Sequence, residues 1–413
     1  MNPFPARIEV NLEAITRNTE IVCQIVNQQS KVEVMGIVKA DAYGHGLIKS
    51  AKAIIQGGAT WLGVAKISEA LKLRRELDEE GLHPRILTWI YTPDADLRHA
   101  ILSDLTLSIS ANWALDLIIK AVKTLHKEGL EIIPKIHIKV DTGFGRNGFG
   151  IPSEQYSEAL KSIAKCEQDK ILKCDGIWSH LARADEPNNQ EAKEVTKKQK
   201  EVFDTAINIA KEYNLDPYYK HISASAGILG YPDMYYNLVR PGIILYGLSP
   251  NPDEIHEKDL LDNLGLHITM KLEGQLTSVK DMLKGSGISY GHIYHTKSDT
   301  KIGIVPLGYA DGVMRACSGS DEKPGAQVAV FEKTEDDKNR SINICNIAGK
   351  VCMDQFMIDL GAESKAQPGD WVTLFDDDVN SGLPLVDDWA KSAGTINYEI
   401  LTKLSPEIPR IYN

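Results

Sequence analysis

The sequence has no apolar run long enough to cross a bilayer, which excludes a transmembrane helix. Its N-terminus, MNPFPARIEVNLEAI, lacks a basic stretch followed by an apolar one, so no secretory signal is expected and a cytoplasmic location follows. Positive charge is in deficit: the formal net charge of −11 argues against nucleic acid or an anionic membrane as partner. An anionic ligand would have to meet local cations. The six cysteines form no CxxC pair and no zinc-type spacing, so reduced thiols and no metal site are expected. Internal repeats and low-complexity tracts are also missing.

What is present is an ordinary soluble composition, 43% hydrophobic and 25% charged, spread over 413 residues, too many for one ordinary core. From about residue 10 to 250 the chain alternates strand-like and helix-like segments. The strand candidates are Val32–Val38, Trp61–Ala65, Arg85–Tyr91, Leu105–Ile109, Lys135–Val140, Cys174–Ser179, Tyr218–Ile222 and Asn237–Arg240. Amphipathic segments such as Ser68–Glu79, Trp113–His126 and Ala192–Tyr213 lie between them. Alternation of this kind implies parallel pairing, and eight units predict a (β/α)8 TIM barrel. The polar stretch 251–263 reads as a linker or insertion. Residues 264–413 hold short β-rich runs separated by turn signals, and predict a mostly β second domain joined by an N-terminal strand near 1–10. The acidic runs Glu335-Asp336-Asp337 and Asp376-Asp377-Asp378 read as solvated loop tips.

In such a barrel, chemistry collects at the C-terminal ends of the strands. Lys39 follows the first candidate strand, Lys139 ends the fifth with Arg146 in its loop, His180 follows the sixth, Ser225 the seventh, and Arg240 ends the eighth. The small-residue loops 223–227 and 240–247 suit a phosphate, though ordinary turns would read the same way. A phosphate site together with a strand-end lysine suits pyridoxal phosphate, whose aldehyde condenses with a lysine amine.

The motifs carry a resemblance. "GIVKADAYGHG", "KVDTGFGRNGF", "IWSHLARADE", "LVRPGIILYG", "ISYGHIY", "PLGYADGVMR", "KVCMDQFMIDL", "TINYEI" and the terminal "IPRIYN" resemble, in order over both domains, the alanine racemases. The resemblance implies a pyridoxal 5'-phosphate enzyme that interconverts L- and D-alanine as a homodimer with shared active sites, and supplies D-alanine for peptidoglycan. Lys39 would carry the cofactor and act as base on one face of the substrate, while Tyr290 of a second copy would act on the other. Arg240 would face the pyridine nitrogen, with His221 orienting it and His180 flat on the ring. Tyr43, Ser225, Gly242, Ile243 and Tyr398 would hold the phosphate. Arg146 and Met353 would bind the substrate carboxylate, and Lys139 matches a position open to carbamylation. Tyr309, Asp185, Arg315, Arg183 and Ile396 would line the entrance; Cys352 reads as packing.

Three residues depart from the family pattern. Ala224 replaces an asparagine, Lys350 an arginine, and Arg183 a small residue. A cation at 183 would narrow the channel or attract a carboxylate side chain, so a serine or broad-specificity racemase stands as the alternative. A non-enzymatic cofactor-binding barrel or a decarboxylase of similar build ranks lower. The segments 251–264, 331–341 and 376–386 read as insertions.

Overall fold

The computed structural model of the protein describes residues 4–28, 30–333 and 340–413. The chain divides into two compact units, one comprising residues 15–42 and 47–266, the other residues 1–14, 43–46 and 267–413. The run Glu335–Asp337 lies outside the described residues.

After an N-terminal strand β1 (Ala6–Val10), the first unit is built on β2 (Glu33–Ile37), β3 (Trp61–Lys66), β4 (Arg85–Ile90), β5 (Leu105–Ile109) and β6 (Lys135–Asp141). A two-residue β7 (Phe149–Gly150) pairs beside β6, and β8 (Lys173–Trp178), β9 (Tyr219–His221) and β10 (Leu238–Val239) follow. The eight barrel strands run in the order β10-β2-β3-β4-β5-β6-β8-β9. Every neighbouring pair is parallel. The ring closes between β9 and β10 through one parallel bridge, Ala224 with Arg240.

Parallel strands covered on both faces read as nearly continuous apolar runs, which is why these strands are legible one by one. All five residues of β5 are buried, as are four of the five in β2. The helices show single apolar faces: Ala114, Leu115, Ile118, Val122 and Leu125 are the buried positions of the helix Asn112–Lys127. The stretch expected as a linker is in part a helix, Glu257–Leu264. Acidic residues in its first turn complement the helix dipole, and Gly265 at φ 76° ends it in a left-handed cap.

The second unit holds β11 (Met270–Gln275), β12 (Ser278–Met282), β13 (Gly287–Ile288), β14 (Tyr294–His295), β15 (Thr300–Val305), β16 (Gln327–Lys333), β17 (Arg340–Ile347), β18 (Phe356–Asp359), β19 (Trp371–Phe375) and β20 (Arg410–Tyr412). With β1 they form a nine-stranded sheet in the order β12-β15-β18-β17-β16-β19-β11-β1-β20. The N-terminal strand is therefore a full member, antiparallel to β11 and parallel to β20. The remaining pair, β13 and β14, forms a separate hairpin. Two short helices, Val386–Ala393 and Asn397–Thr402, went unread in the sequence.

Candidate active site

Lys39 comes one residue after the apolar strand β2 and Val38. The backbone then turns the unusual way. Ala40, Asp41, Ala42 and Tyr43 all have φ between 53° and 55°, followed by Gly44 at 82° and Gly46 at 95°. Left-handed geometry crowds Cβ against the next carbonyl and costs L-residues roughly 1–2 kcal/mol each. Such strain persists where surroundings impose it, and it concentrates at functional sites. Bonds that hold the turn include the Ala42 N–H donating to Val38 O at 2.9 Å, the Ala40 N–H to Glu69 Oε1 at 2.8 Å, and the Leu47 N–H to Asp41 Oδ1 at 2.8 Å. Glu69 also accepts from the Lys66 N–H at 3.0 Å, so one carboxylate ties the lysine turn to the start of a helix.

Around the C-terminal ends of the strands the barrel carries Lys39, Lys139, Arg146 and Arg240. Among the described residues none of these four forms an ion pair. Burial, with Arg146 adding to it, pushes the Lys39 amine below its ordinary range, and the Glu69 charge partly restores it. Lys139 is 5% exposed and pushed down to about 8, first by burial and then by Arg146 and Arg240. Its ammonium lies 4.6 Å from the Trp178 ring centroid, and the Arg240 guanidinium lies 5.0 Å from the same centroid. Burial and Arg146 push Arg240 down to about 9, which still leaves it charged at neutral pH.

Arg240 is held entirely by neutral acceptors. Nη2 donates to Ser179 O at 2.7 Å, to Ile222 O at 3.1 Å and to His180 Nδ1 at 3.3 Å, and Nη1 donates to His221 Nδ1 at 3.0 Å. The His180 ring sits 5.4 Å from Phe144, whose face in turn carries Arg146 at 4.2 Å. The loop that carries them is shaped by Asp141, whose carboxylate accepts from the N–H groups of Gly143, Phe144 and Gly145. The Gly242 N–H donates to Ser225 Oγ at 3.0 Å, which joins the two small-residue loops, with Ile243 buried beside them.

Four clustered cations with no close ion pair among the described residues suit a ligand with several negative charges. A lysine amine with a lowered pKa suits a carbonyl. Together they fit pyridoxal phosphate: Lys39 would take the aldehyde, Ser225 with the Gly242 and Ile243 backbone the phosphate, and Arg240 the ring nitrogen.

Two residues that sequence reasoning missed support the mouth. Gln199, 2% exposed on a highly charged helix, donates to His180 O at 3.1 Å and to Thr142 Oγ1 at 3.2 Å, and accepts from the Ala182 N–H at 2.8 Å. Glu69 is the other. Both hide among solvated charges in the sequence, and only an inward-facing position would have singled them out. Arg183, expected to attract a carboxylate side chain, is already engaged. Its guanidinium donates twice to Glu186, both at 2.7 Å, and lies 3.3 Å from Glu191. The carbonyl of Asp185 accepts from Asn251.

The other candidates belong to the second unit. Tyr43 and Tyr398 come together, ring centroids 6.0 Å apart. Tyr290 sits at the tip of the hairpin β13–β14, where Ser289 (φ 61°), Gly291 (φ 74°) and His292 (φ 44°) are all left-handed. The Ser289 hydroxyl donates to Lys350 O at 2.7 Å and steadies that tip. The Tyr309 N–H donates to Cys352 O and the Ala310 N–H to Met353 O, so Tyr309 and Met353 lie on paired backbone. Tyr290 is 71% exposed and Met353 54%; Arg315 is exposed and Ile396 caps the helix Asn397–Thr402.

The profile of the alanine racemase N-terminal domain matches residues 10–250, and that of the alanine racemase C-terminal domain residues 269–412. The chain belongs to the alanine racemase family. Alanine racemase from Beutenbergia cavernae is 40% identical, over 99% of this chain and 98% of its own. That from Thermobifida fusca is 39% identical, covering 98% of each. Among solved structures, the alanine racemase of D-cycloserine-producing Streptomyces lavendulae superposes with a TM-score of 0.87 at 34% identity, covering 100% of this chain and 98% of that one. The Bacillus anthracis alanine racemase with bound L-Ala-P gives 0.80 at 32%, covering 99% and 95%. The match runs through both domains, which removes the reading as a barrel-only cofactor carrier. The chain is an isomerase of the alanine racemase type.

Proposed function

We propose that this alanine racemase works as a homodimer on pyridoxal phosphate held by Lys39, with Lys39 and Tyr290 of a second copy as its two bases. The observation that carries the reading is the grouping of Lys139, Arg146 and Arg240 with the strand-end Lys39, none of the four ion-paired among the described residues. When bound, the cofactor supplies an electron sink that acidifies the α-proton of the amino acid. Arg146 binds the substrate carboxylate, helped by the Met353 backbone of the other copy. Lys39 Nζ takes or returns the proton on one face, and Tyr290 Oη does so on the other. A single base would tend to hand the proton back to the face it came from; two bases on opposite faces invert the centre.

Arg240 can only donate, so the ring nitrogen it meets must remain an unprotonated acceptor. That choice restrains the sink and favours simple proton return over side reactions. The buried, partly neutral Lys139 amine is suited to carbamylation, which would turn a cation beside Arg146 into an anion able to orient it. The exposed Tyr290 and Met353 border an open groove of about 760 Å³ lined also by Met282, Ile288 and Met357, which supports their being covered by a second copy. The product, D-alanine, fits a role in peptidoglycan supply inside the cell.

The test is the absorbance of the lysine-bound cofactor, read with D/L turnover. Lys39→Ala should lose both. Tyr290→Phe should slow α-proton exchange mainly from one enantiomer; equal small losses in both directions would overturn the two-base assignment. A kcat/KM for serine about tenfold above that for alanine would replace alanine as the substrate.

A further inference from the structure

Behind Arg240 the barrel interior holds a second buried histidine that the functional reading does not use. We infer that His137 is a positioning residue for Arg240: by accepting the His221 Nε2–H, it fixes the His221 tautomer that takes a hydrogen bond from the guanidinium.

The argument starts from a group that cannot accept. Arg240 Nη1 lies 3.0 Å from His221 Nδ1, and an arginine has only donors, so Nδ1 is the accepting nitrogen. The proton of a neutral His221 then sits on Nε2. That nitrogen lies 3.0 Å from His137 Nδ1, which must accept in turn, and the His137 proton is left on Nε2. Burial, helped by the Arg240 charge, holds both rings in the neutral form; at His137 it outweighs the opposing Asp175 carboxylate and pushes the ring down to about 3. The opposite polarity would set a His221 Nδ1–H against a guanidinium N–H. Only one arrangement of protons satisfies the chain Arg240–His221–His137.

The far end agrees. Among the described residues no hydrogen-bond partner reaches His137 Nε2, so no donor at that end forces this nitrogen to accept and reverse the chain. A buried donor without an acceptor is expensive to keep. The barrel is nonetheless shaped to keep this ring. A Cβ on Gly176 would lie 2.6 Å from His137 Cδ2 and Nε2, so the absence of a side chain there makes its room. Trp61 packs at 5.3 Å and Tyr219 stacks at 6.0 Å on the His137 ring, while Trp178 lies parallel to His221 at 5.8 Å. Remove the His137 acceptor, and His221 either buries an unpaired Nε2–H or moves its proton to Nδ1, against Arg240. Both weaken the aim of the guanidinium. That this aim serves the ring nitrogen rests on the function proposed above; the tautomer chain itself does not.

The test uses full-length protein as purified, labelled with ¹⁵N-histidine, and long-range ¹H–¹⁵N spectra that separate the two tautomers. Wild type should show His221 and His137 both as Nε2–H, and an Nδ1–H tautomer at His221 would overturn the inference. His137→Phe keeps a ring but removes the acceptor. It should lose the single His221 tautomer and lower kcat about tenfold or more, with KM for alanine nearly unchanged. It should also raise the pyruvate released per racemisation. Pyruvate would be the by-product of alanine whose amino group stays behind with the cofactor, water supplying the ketone oxygen. His137→Asn places an amide oxygen near the former Nδ1 and should restore tautomer, kcat and pyruvate level towards wild type. An unchanged kcat and pyruvate yield in His137→Phe, or a folded His137→Asn as impaired as the Phe variant, would overturn the role. If the Phe variant does not fold, the wild-type spectrum and the Asn variant decide. A protein that keeps the tautomer pattern yet racemises nothing would fail the functional reading and leave the histidine chain standing.

Discussion

Replacing Glu69 tests how the lysine turn is held. Its carboxylate accepts from the Ala40 N–H at 2.8 Å and the Lys66 N–H at 3.0 Å. A hydrogen bond to a charged group contributes about 1.5–3 kcal/mol, and water can replace part of it at this half-exposed position. For Glu69→Ala we therefore expect a loss of about 2–3 kcal/mol for the two bonds together. The second effect is electrostatic. Glu69 raises the Lys39 pKa against burial, so its removal lowers that pKa further. Cofactor capture needs the neutral amine, and its pH midpoint should move to lower pH. Glu69→Gln should share the pH shift but keep part of the stability, since one acceptor remains. Urea titration and the pH profile of cofactor capture read both. A Glu69→Ala protein within about 0.5 kcal/mol of wild type, with an unmoved midpoint, would refute the anchor.

The Lys139 amine gives a signed pH dependence. Its folded value of about 8 lies below the ordinary 10.5, so the unfolded chain holds the extra proton between those limits and stability should rise from pH 8 to 10.5. Lys139→Met should flatten that rise in urea midpoints, and an identical slope in both proteins would count against it. Arg183→Gln should leave the ratio of alanine to acidic amino acid turnover within about threefold, because the guanidinium already serves Glu186 and Glu191. A tenfold change would show it recruits carboxylates. Gly176→Ala should cost about 1–3 kcal/mol in thermal unfolding, as the new methyl meets the His137 ring.

The barrel was readable because buried parallel strands announce themselves as apolar runs, and because its polar residues fall at their ends. Lys39, Lys139, His180 and Arg240 stood out on that rule alone. Other features carry no local signal. The sequence "ADAY" contains no glycine, so four consecutive left-handed residues could not be read from it; a tertiary bond to Glu69 and local bonds to Asp41 and Val38 hold them. The helix Glu257–Leu264 was masked by its charge, and Val386–Ala393 and Asn397–Thr402 by their brevity. The pairing of Arg183 was hidden for a different reason: its partners Glu186 and Glu191 are close in sequence, but only a particular loop shape turns both towards it. His137 looked like one more position on a strand, and its meaning depends on a ring two strands away.

The grouping of residues 43–46 with the second unit bears on how this chain can be cut. Gly44 O accepts from the Arg410 side chain, His45 pairs with Thr269 at 3.0 Å, and Tyr43 meets Tyr398. The chain is therefore stitched, with a four-residue loop of one unit sewn into the sequence of the other, four positions after Lys39. A fragment ending near residue 266 would carry every barrel strand and still leave that stitch untied. No single cleavage yields two intact halves, so domain shuffling or truncation would have to carry the Tyr43–Gly46 partners along. The lysine turn is thus inherited with the C-terminal sheet, and the two parts of this fold are expected to travel through evolution as one piece.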